Sequence, residues 1–253
     1  MSLSRISVYI ITKNEEQNLS RLLPLLSDFN EVVVVDCGST DKTKDIAEKH
    51  GNVRFIHQDW LGFAVQKEFA KNQCQNDWVL NLDADETFDD VFIKDIEKTV
   101  QQDKVNGLTC YCAETLLGYK KPHPLTKHQR KLRFFRKEHG HYPKVSVHEK
   151  IVLAGKTDVS NGKIYNWGTE IEDILTKQNL YSSLAAKDKF KAGKKPSLIK
   201  LIGRSPVAFI KFYFLKRQFL NGLEGFIAAR NYTHYSFQKE AKLFCLYKKD
   251  KSG

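Results

Sequence analysis

The sequence predicts an α/β protein built on a doubly wound, mostly parallel sheet with helices on both faces, followed by a basic helical carboxyl-terminal extension. Three observations predict this. Short apolar runs alternate with amphipathic stretches of helical period over the first third of the chain. The residues that follow three of those runs are densely polar, as the carboxyl ends of strands in a ligand-binding sheet should be. The last third is rich in Lys, Arg, Phe and Tyr and short of acidic residues.

Arg5 to Thr12 (RISVYIIT) reads as the first strand, and Glu15 to Leu26 as a helix with apolar residues at 19, 22, 23 and 26. Glu31 to Asp36 (EVVVVD) is nearly all Val, the pattern of a parallel strand covered on both faces. Asp41 to His50 reads as a helix, Val53 to Ile56 as a third strand, Phe63 to Gln73 as a helix and Trp78 to Leu82 (WVLNL) as a fourth strand. Such an alternation implies βαβ crossovers of one hand. The polar strand ends are Lys13-Asn14-Glu15, then Asp36 to Asp41, then Asp83-Ala84-Asp85-Glu86. Three acidic strand ends on one edge repel one another unless a cation or a hydrogen-bonding ligand sits among them, so this edge reads as a site.

With 253 residues and 41% hydrophobic content, the chain makes one sizeable domain, or one domain plus an appendage. That excludes a disordered chain and a disulfide-stapled miniprotein. The net charge of +11 is unevenly spread: residues 1 to 105 hold 12 Lys/Arg against 19 Asp/Glu, and residues 106 to 253 hold 29 against 11. Five scattered cysteines (Cys37, Cys74, Cys110, Cys112, Cys245) with no secretory leader read as reduced thiols of a cytosolic protein. Cys110-x-Cys112 fits one face of a strand better than a zinc site, for which no second pair supplies ligands. No apolar run approaches the roughly 20 residues that span a bilayer.

Asp83-x-Asp85 sets two carboxylates on one side of an extended backbone, and hard oxygen donors of this kind suit Mg²⁺ or Mn²⁺. Taken alone, the pair is equally a solvated turn or a cap for a helix beginning near Phe88. Asp36 to Asp41 has a double reading as well. Asp41 or Thr40 caps the next helix, Asp36 accepts hydrogen bonds from a nucleobase or ribose beside the Gly38-Ser39 turn, and both can hold together. Neither G-x-G-x-x-G nor G-x-x-x-x-G-K-[ST] is present.

The segments IITKNEEQNLSRLL, EVVVVDCGSTDKT, AVQKEFA and WVLNLDADE, in this order and spacing, resemble the nucleotide-sugar-binding half of glycosyltransferase family 2, inverting enzymes of the GT-A fold. Within that family the chain is most similar to lipopolysaccharide core transferases that add a β-linked glucose to an inner-core heptose. The resemblance is specific over residues 6 to 86; beyond them it rests on RKLRFFRK, VSVHEK and the basic carboxyl end. It implies that Thr12, Asn14, Glu15, Asp36 and Ser39 hold the uracil and ribose of a UDP-sugar, with Lys67 near the nucleotide and Asp83 against the ribose. It also implies that Asp85 coordinates Mg²⁺ or Mn²⁺ at the diphosphate, with His148 a second candidate ligand.

An inverting transfer needs a general base for the acceptor hydroxyl. Val147-His148-Glu149 matches the V-H-E motif of this subgroup, which makes Glu149 the candidate base; otherwise Glu149 is a surface partner of Lys150 or Lys144. In Lys131 to Lys137 (KLRFFRK) an extended backbone puts Arg133 and Phe135 on one face, Phe134 and Arg136 on the other. Either arginine suits phosphate oxygens, and the segment is equally a plain amphipathic strand.

The resemblance divides the chain into a catalytic domain over 1–192, with a nucleotide-sugar half (1–105) and an acceptor-side half (106–192), and a basic aromatic helical region over 193–253. Gly193 to Ser197 (GKKPS) is the expected linker. Ser205 to Arg217 (SPVAFIKFYFLKR) reads as a helix with Pro206 in its first turn. It fits either an anionic membrane interface or a helix packed on the catalytic domain. The implied partners are a UDP-sugar, a lipopolysaccharide core or lipid-linked oligosaccharide acceptor, and the inner face of the bacterial inner membrane, with no nucleic acid. Two rivals remain: a nucleic-acid binder using the basic half, and a sugar nucleotidyltransferase, which would carry a Gly-rich loop where this chain has TKNEE.

Overall fold

The computed structural model describes residues 3–115, 121–143, 150–166 and 171–250. The elements are β1 (Ile6–Thr12), α1 (Glu16–Leu22), β2 (Glu31–Asp36), α2 (Thr43–Ala47), β3 (Val53–His57), α3 (Phe63–Gln73), β4 (Trp78–Asn81), β5 (Glu86–Phe88), α4 (Asp90–Gln102), β6 (Gly107–Glu114), β7 (Gln129–Arg136), β8 (Gly140–His141), β9 (Val152–Leu153), β10 (Thr157–Asn166), α5 (Ile171–Lys191), α6 (Leu198–Ile210) and α7 (Gly222–Asp250). The expected helix over 15–26 ends early as α1, because Pro24 turns residues 23–26 into a 3₁₀ segment. The chain forms two compact units, residues 1–113 with 129–167, and residues 114–128 with 168–253.

The first unit is organised by an eight-stranded sheet of order β3-β2-β1-β4-β7-β6-β10-β5. β3, β2, β1 and β4 are parallel, while β7 runs antiparallel to β4 and β6. The sheet is therefore mixed, parallel over the half that the β-α alternation predicted. One face packs Ile10, Val32, Val34 and Leu80 against Leu19 and Leu22 of α1 and Phe92 and Ile96 of α4. The other packs Tyr9, Val33, Val35 and Val79 against Ala64 and Ala70 of α3. That is why the Val-rich β2 carries no polar face: both of its sides are covered. Asp89 caps α4 by accepting from Phe92 N, so the cap falls on neither Asp83 nor Asp85. Gly162 of β10 lies where a Cβ would meet the Phe92 backbone at 2.3 Å, so only glycine allows this approach.

Successive parallel strands step outward from β1 through β2 to β3, and the chain then returns to β4 on the other side of β1. The order reverses between β1 and β4. Ligands of open α/β sheets sit in the crevice at such a switch point, outside the carboxyl ends of the strands.

In the second unit α5 and α6 pack along α7. The buried Glu240 of α7 ties the three together, accepting from Lys189 of α5 and from Arg204 of α6 at 2.6 Å. Gly193 to Ser197 joins α5 to α6 inside this unit, and the boundary expected after residue 192 lies there too, because α5 packs on α7. The helix expected to open at Ser205 instead begins at Leu198, and Pro206 sits in its interior. Ile202 and Pro206 are both exposed. The helix gives way to a π-helical turn over Lys211–Leu215.

Candidate functional site

Two loops stand at the carboxyl ends of β1 and β2, beside the switch point. After β1, Asn14 adopts a left-handed backbone (φ 54°), a conformation Asn tolerates better than most residues. Its Oδ1 accepts from Thr40 N at 2.8 Å, and its own N–H donates to Ser39 Oγ at 2.7 Å. Glu15 N donates to Thr43 Oγ1 and Glu16 N to Asp41 Oδ2, so the β1 loop is fastened to the β2 loop along its length. Within the second loop, Asp36 Oδ2 accepts from Gly38 N and Ser39 N, each at 2.9 Å, and Oδ1 accepts from Ser39 Oγ. Gly38 has φ 91°, which this turn requires. Asp41 accepts from Thr43 N and Oγ1 at the first residue of α2, but the cap position itself falls on Lys42, which makes no side-chain cap hydrogen bond, so neither Asp41 nor Thr40 is the cap.

At the end of β4 on the same sheet edge lies an ionic cluster in which Lys67, Arg133 and Glu86 are buried and Asp83 is partly exposed. Asp83 Oδ1 pairs with Lys67 Nζ of α3 at 2.9 Å, and Oδ2 with Arg133 Nη2 at 3.3 Å. Arg133 also donates to Asn81 Oδ1 at 2.7 Å and to Glu86 Oε1. Glu86 Oε2 in turn accepts from Asp83 N at 2.9 Å. Burial works to raise the Asp83 carboxyl, but the Lys67 and Arg133 charges overcome it and hold Asp83 well below the usual carboxylate range. Burial pushes the Glu86 carboxyl up to about 8, against the pull of Arg133 and with the Asp83 charge adding to the rise. The repulsion expected among acidic strand ends is thus relieved by turn amides at Asp36 and by the chain's own cations at Asp83.

A β-bulge aims Arg133. Leu108 of β6 faces Phe134 and Thr109 faces Leu132, so Arg133 is the extra residue of β7. Bulges re-aim side chains beside functional sites, and here the displaced residue reaches the end of β4. Arg133 and Phe135 share the α3 face, while Phe134 stacks on Trp78 at 4.7 Å on the other. Arg136 is carried elsewhere. It pairs with Trp78 of β4 in the antiparallel register, at the amino end of the parallel strands, lies over the Trp78 ring at 4.7 Å and bonds Asp77 and Asp103. It therefore stands at the sheet edge away from Asp83, because β7 runs antiparallel and Arg136 lies three positions further along it than Arg133.

Three polar atoms in this region are buried without a partner among the described residues: Thr12 Oγ1, Asn81 Nδ2 and Arg133 Nε. An unpartnered buried polar atom costs about 1–3 kcal/mol, so three near one crevice point to a hydrogen-bonding ligand. Asp85 is half-buried at the same strand mouth. Upstream of the V-H-E motif, Tyr142 is fixed by its hydroxyl to Tyr9 at 2.6 Å and by its N–H to Glu68 of α3 at 3.0 Å. His148 and Glu149 themselves lie outside the described residues. Of the predicted residues, the structure brings together Asp83, Lys67 and Arg133 in one cluster and Asn14, Ser39 and Asp36 in one loop pair. Sequence reasoning missed Asn81 and Glu86. Asn81 was signalled by being the one polar residue inside WVLNL, whereas Glu86 had no signal beyond its acidic run.

The sequence model described as Glycosyl transferase family 2 matches residues 7–170. The chain belongs to glycosyltransferase family 2. This glycosyltransferase is 33% identical over 247 residues to the lipopolysaccharide core biosynthesis glycosyltransferase LpsC of Rhizobium meliloti, covering 94% of this chain and 92% of that one. An uncharacterized glycosyltransferase of Rickettsia bellii is 33% identical over 254 residues, covering 94% and 86%. Among solved structures, S. aureus TarS 1-349 in complex with UDP-GlcNAc aligns with a TM-score of 0.50 at 17% identity, covering 97% of this chain and 92% of that one. The glycosyltransferase thus has the GT-A-like fold, a mixed sheet with flanking helices and a helical carboxyl-terminal segment.

Proposed function

We propose that this glycosyltransferase moves a hexose, glucose, from a UDP-sugar to the inner-core heptose of a lipopolysaccharide acceptor, with inversion. The observation that carries the donor half is the cluster at the switch point. Asp83, held ionised between Lys67 and Arg133, stands beside three buried polar atoms that need partners. A ribose or sugar hydroxyl supplies both donors and acceptors to such a cluster. Asp36, Ser39, Asn14, Glu15 and Thr12 then border the uracil and ribose, with Lys67 near the nucleotide. The acceptor half is supported by the likeness to LpsC over nearly the whole of both chains.

Among the described residues no three His, Cys, Asp or Glu side chains converge as a metal cage. Asp85, half-buried just past β4, supplies a hard oxygen donor of the kind Mg²⁺ or Mn²⁺ takes, with waters and substrate phosphates as the other ligands. Asp85 would hold the ion, with His148 as a second candidate. When bound, such an ion neutralises the diphosphate leaving group. The chain's own work is to orient the nucleotide, to hold Asp83 charged, and to take the acceptor proton, which we assign to Glu149. This reading sets the enzyme to work at the cytoplasmic face of the inner membrane, where a lipid-anchored acceptor and anionic headgroups meet it. No described helix is long and apolar enough to cross a membrane.

A donor panel tests the reading. UDP-glucose with Mg²⁺ or Mn²⁺ should raise the melting temperature of the protein more than UDP-galactose or UDP-N-acetylglucosamine does; saturation at 100 times Kd is worth about 2.7 kcal/mol. Absence of any shift with UDP-sugars, together with pyrophosphate release from a nucleoside triphosphate and a sugar phosphate, would decide for a nucleotidyltransferase.

A further inference from the structure

A helix on a protein surface ordinarily turns polar residues to water. In the second unit α6 does the reverse. At 3.6 residues per turn, Leu198, Ile199, Ile202, Pro206, Val207 and Ile210 fall within about half of its circumference, and all six are exposed. Leu198 is 70%, Ile199 84%, Ile202 67% and Val207 64% exposed, while Ala208 on the opposite side is buried. Next along the chain, Phe214, Leu215, Phe219 and Leu223 are exposed as well. An exposed apolar arc of this kind marks an interaction site.

The chemistry of the flank identifies the partner. Lys200, Arg204 and Lys211 fall in one stripe about 40° wide along the edge of the apolar arc, and all three are exposed. Arg204 pairs with Glu240 and the Lys200 charge also acts on that carboxylate, whereas Lys211 makes no ion pair among the described residues. Over residues 193–230 there are eight Lys/Arg against one acidic residue, Glu224. A second copy of the chain on this face would bring two basic flanks together. An anionic lipid surface instead satisfies both halves of the pattern, apolar arc to the acyl boundary and ammonium groups to the phosphates. The 13 residues of α6 span about 20 Å, short of the roughly 30 Å of a hydrocarbon core, so the helix lies in the interface plane.

We propose that α6 and the π-helical turn after it form a docking surface that seats in the headgroup layer of an anionic membrane. The proposal deepens the glycolipid-acceptor reading and rests on it only for which membrane is met. The test is co-sedimentation of the full chain with phosphatidylcholine vesicles, with and without phosphatidylglycerol, in the absence of donor and acceptor. The protein should sediment with the anionic vesicles. Ile199→Ser/Ile202→Ser should weaken partitioning roughly tenfold or more. Lys200→Gln/Lys211→Gln should weaken it about 30-fold on anionic vesicles alone, the loss expected for two basic residues at such a surface. Both variants should keep the melting temperature of the parent and its shift with UDP-glucose. Three results overturn the proposal: wild-type protein that stays in the supernatant with anionic vesicles, an Ile199/Ile202 variant that binds as well as wild type, or a dimer that this variant converts to monomer, which would assign the face to a second copy. Because neither donor nor acceptor is present, failure here leaves the UDP-sugar reading standing, and failed transfer leaves the vesicle result standing.

Discussion

Lys67 and Asp83 meet at the end of β4 with 2.9 Å between Nζ and Oδ1, and Arg133 occupies the other carboxylate oxygen. A side chain on a helix and another on an antiparallel strand thus converge on one acidic residue just past a parallel strand. The clamp keeps Asp83 ionised at the mouth of the crevice, where an uncompensated carboxylate would repel a diphosphate. Its two cations precede and follow Asp83 in the sequence, at residues 67 and 133, so the clamp forms only when α3 and the antiparallel β7 are both in place beside β4.

Lys67→Met should lower stability at neutral pH, with an effect that shrinks in acid. Asp83 sits well below its ordinary value, so its contribution is full above the unfolded carboxylate range near pH ~4 and is lost as pH falls through the folded value. The melting temperatures of wild type and variant, followed from pH 7 downward, should therefore converge below about pH 4. A gap that stays constant across that range would show that the pair does not control Asp83.

Arg133→Met leaves the buried Glu86 carboxyl, already at about 8, to take up a proton near neutral pH, and the expected loss is about 1–3 kcal/mol for buried polar groups left without partners. Arg133→Met and Glu86→Gln together should cost less than the sum of the two taken singly, because the double variant leaves no partnerless member of the pair. Urea denaturation of both single variants and the double variant measures the coupling; additive losses would contradict the assignment.

Asp36→Ala removes the acceptor of two amides and a hydroxyl at the β2 turn. The expected cost is about 1–3 kcal/mol. Amide exchange at Gly38 and Ser39 should speed up, and at Thr40 as well if the Asn14 contact loosens with it. Unchanged exchange at Gly38 and Ser39 would mean the turn holds without the carboxylate.

Glu149→Gln should leave the UDP-glucose melting shift intact and lower transfer by roughly 10²–10⁴-fold, the range of a lost general base. Near-normal turnover at saturating substrates would remove Glu149 from the proposal. Asp85→Ala should abolish the dependence of transfer on Mg²⁺ or Mn²⁺, read as loss of activity at every metal concentration.

The parallel half of the sheet was legible because each strand is an apolar run ending in a polar cluster: EVVVVD became β2 from Glu31 to Asp36 as expected. The loops after β1 and β2 were legible as a site, but not as a mutually bonded pair, since Asn14 and Thr40 are 26 residues apart. Arg133 and Arg136 looked equivalent in KLRFFRK. Only the antiparallel register and the bulge separate them, and neither leaves a mark in composition. Pro206 misled because proline favours a first helical turn, whereas here it sits exposed in the interior of α6. Glu86 was hidden for a different reason. A buried carboxylate is recognisable only once its distant cation is known.

Inverting transfer from a UDP-sugar is tested most directly by the anomeric configuration of the product together with acceptor-dependent UDP release. Incubated with UDP-glucose, a divalent ion and a heptose-bearing lipopolysaccharide core, the protein should release UDP only when acceptor is present and yield a β-linked glucose by NMR. An α-linked product, or no acceptor-dependent UDP, would contradict it.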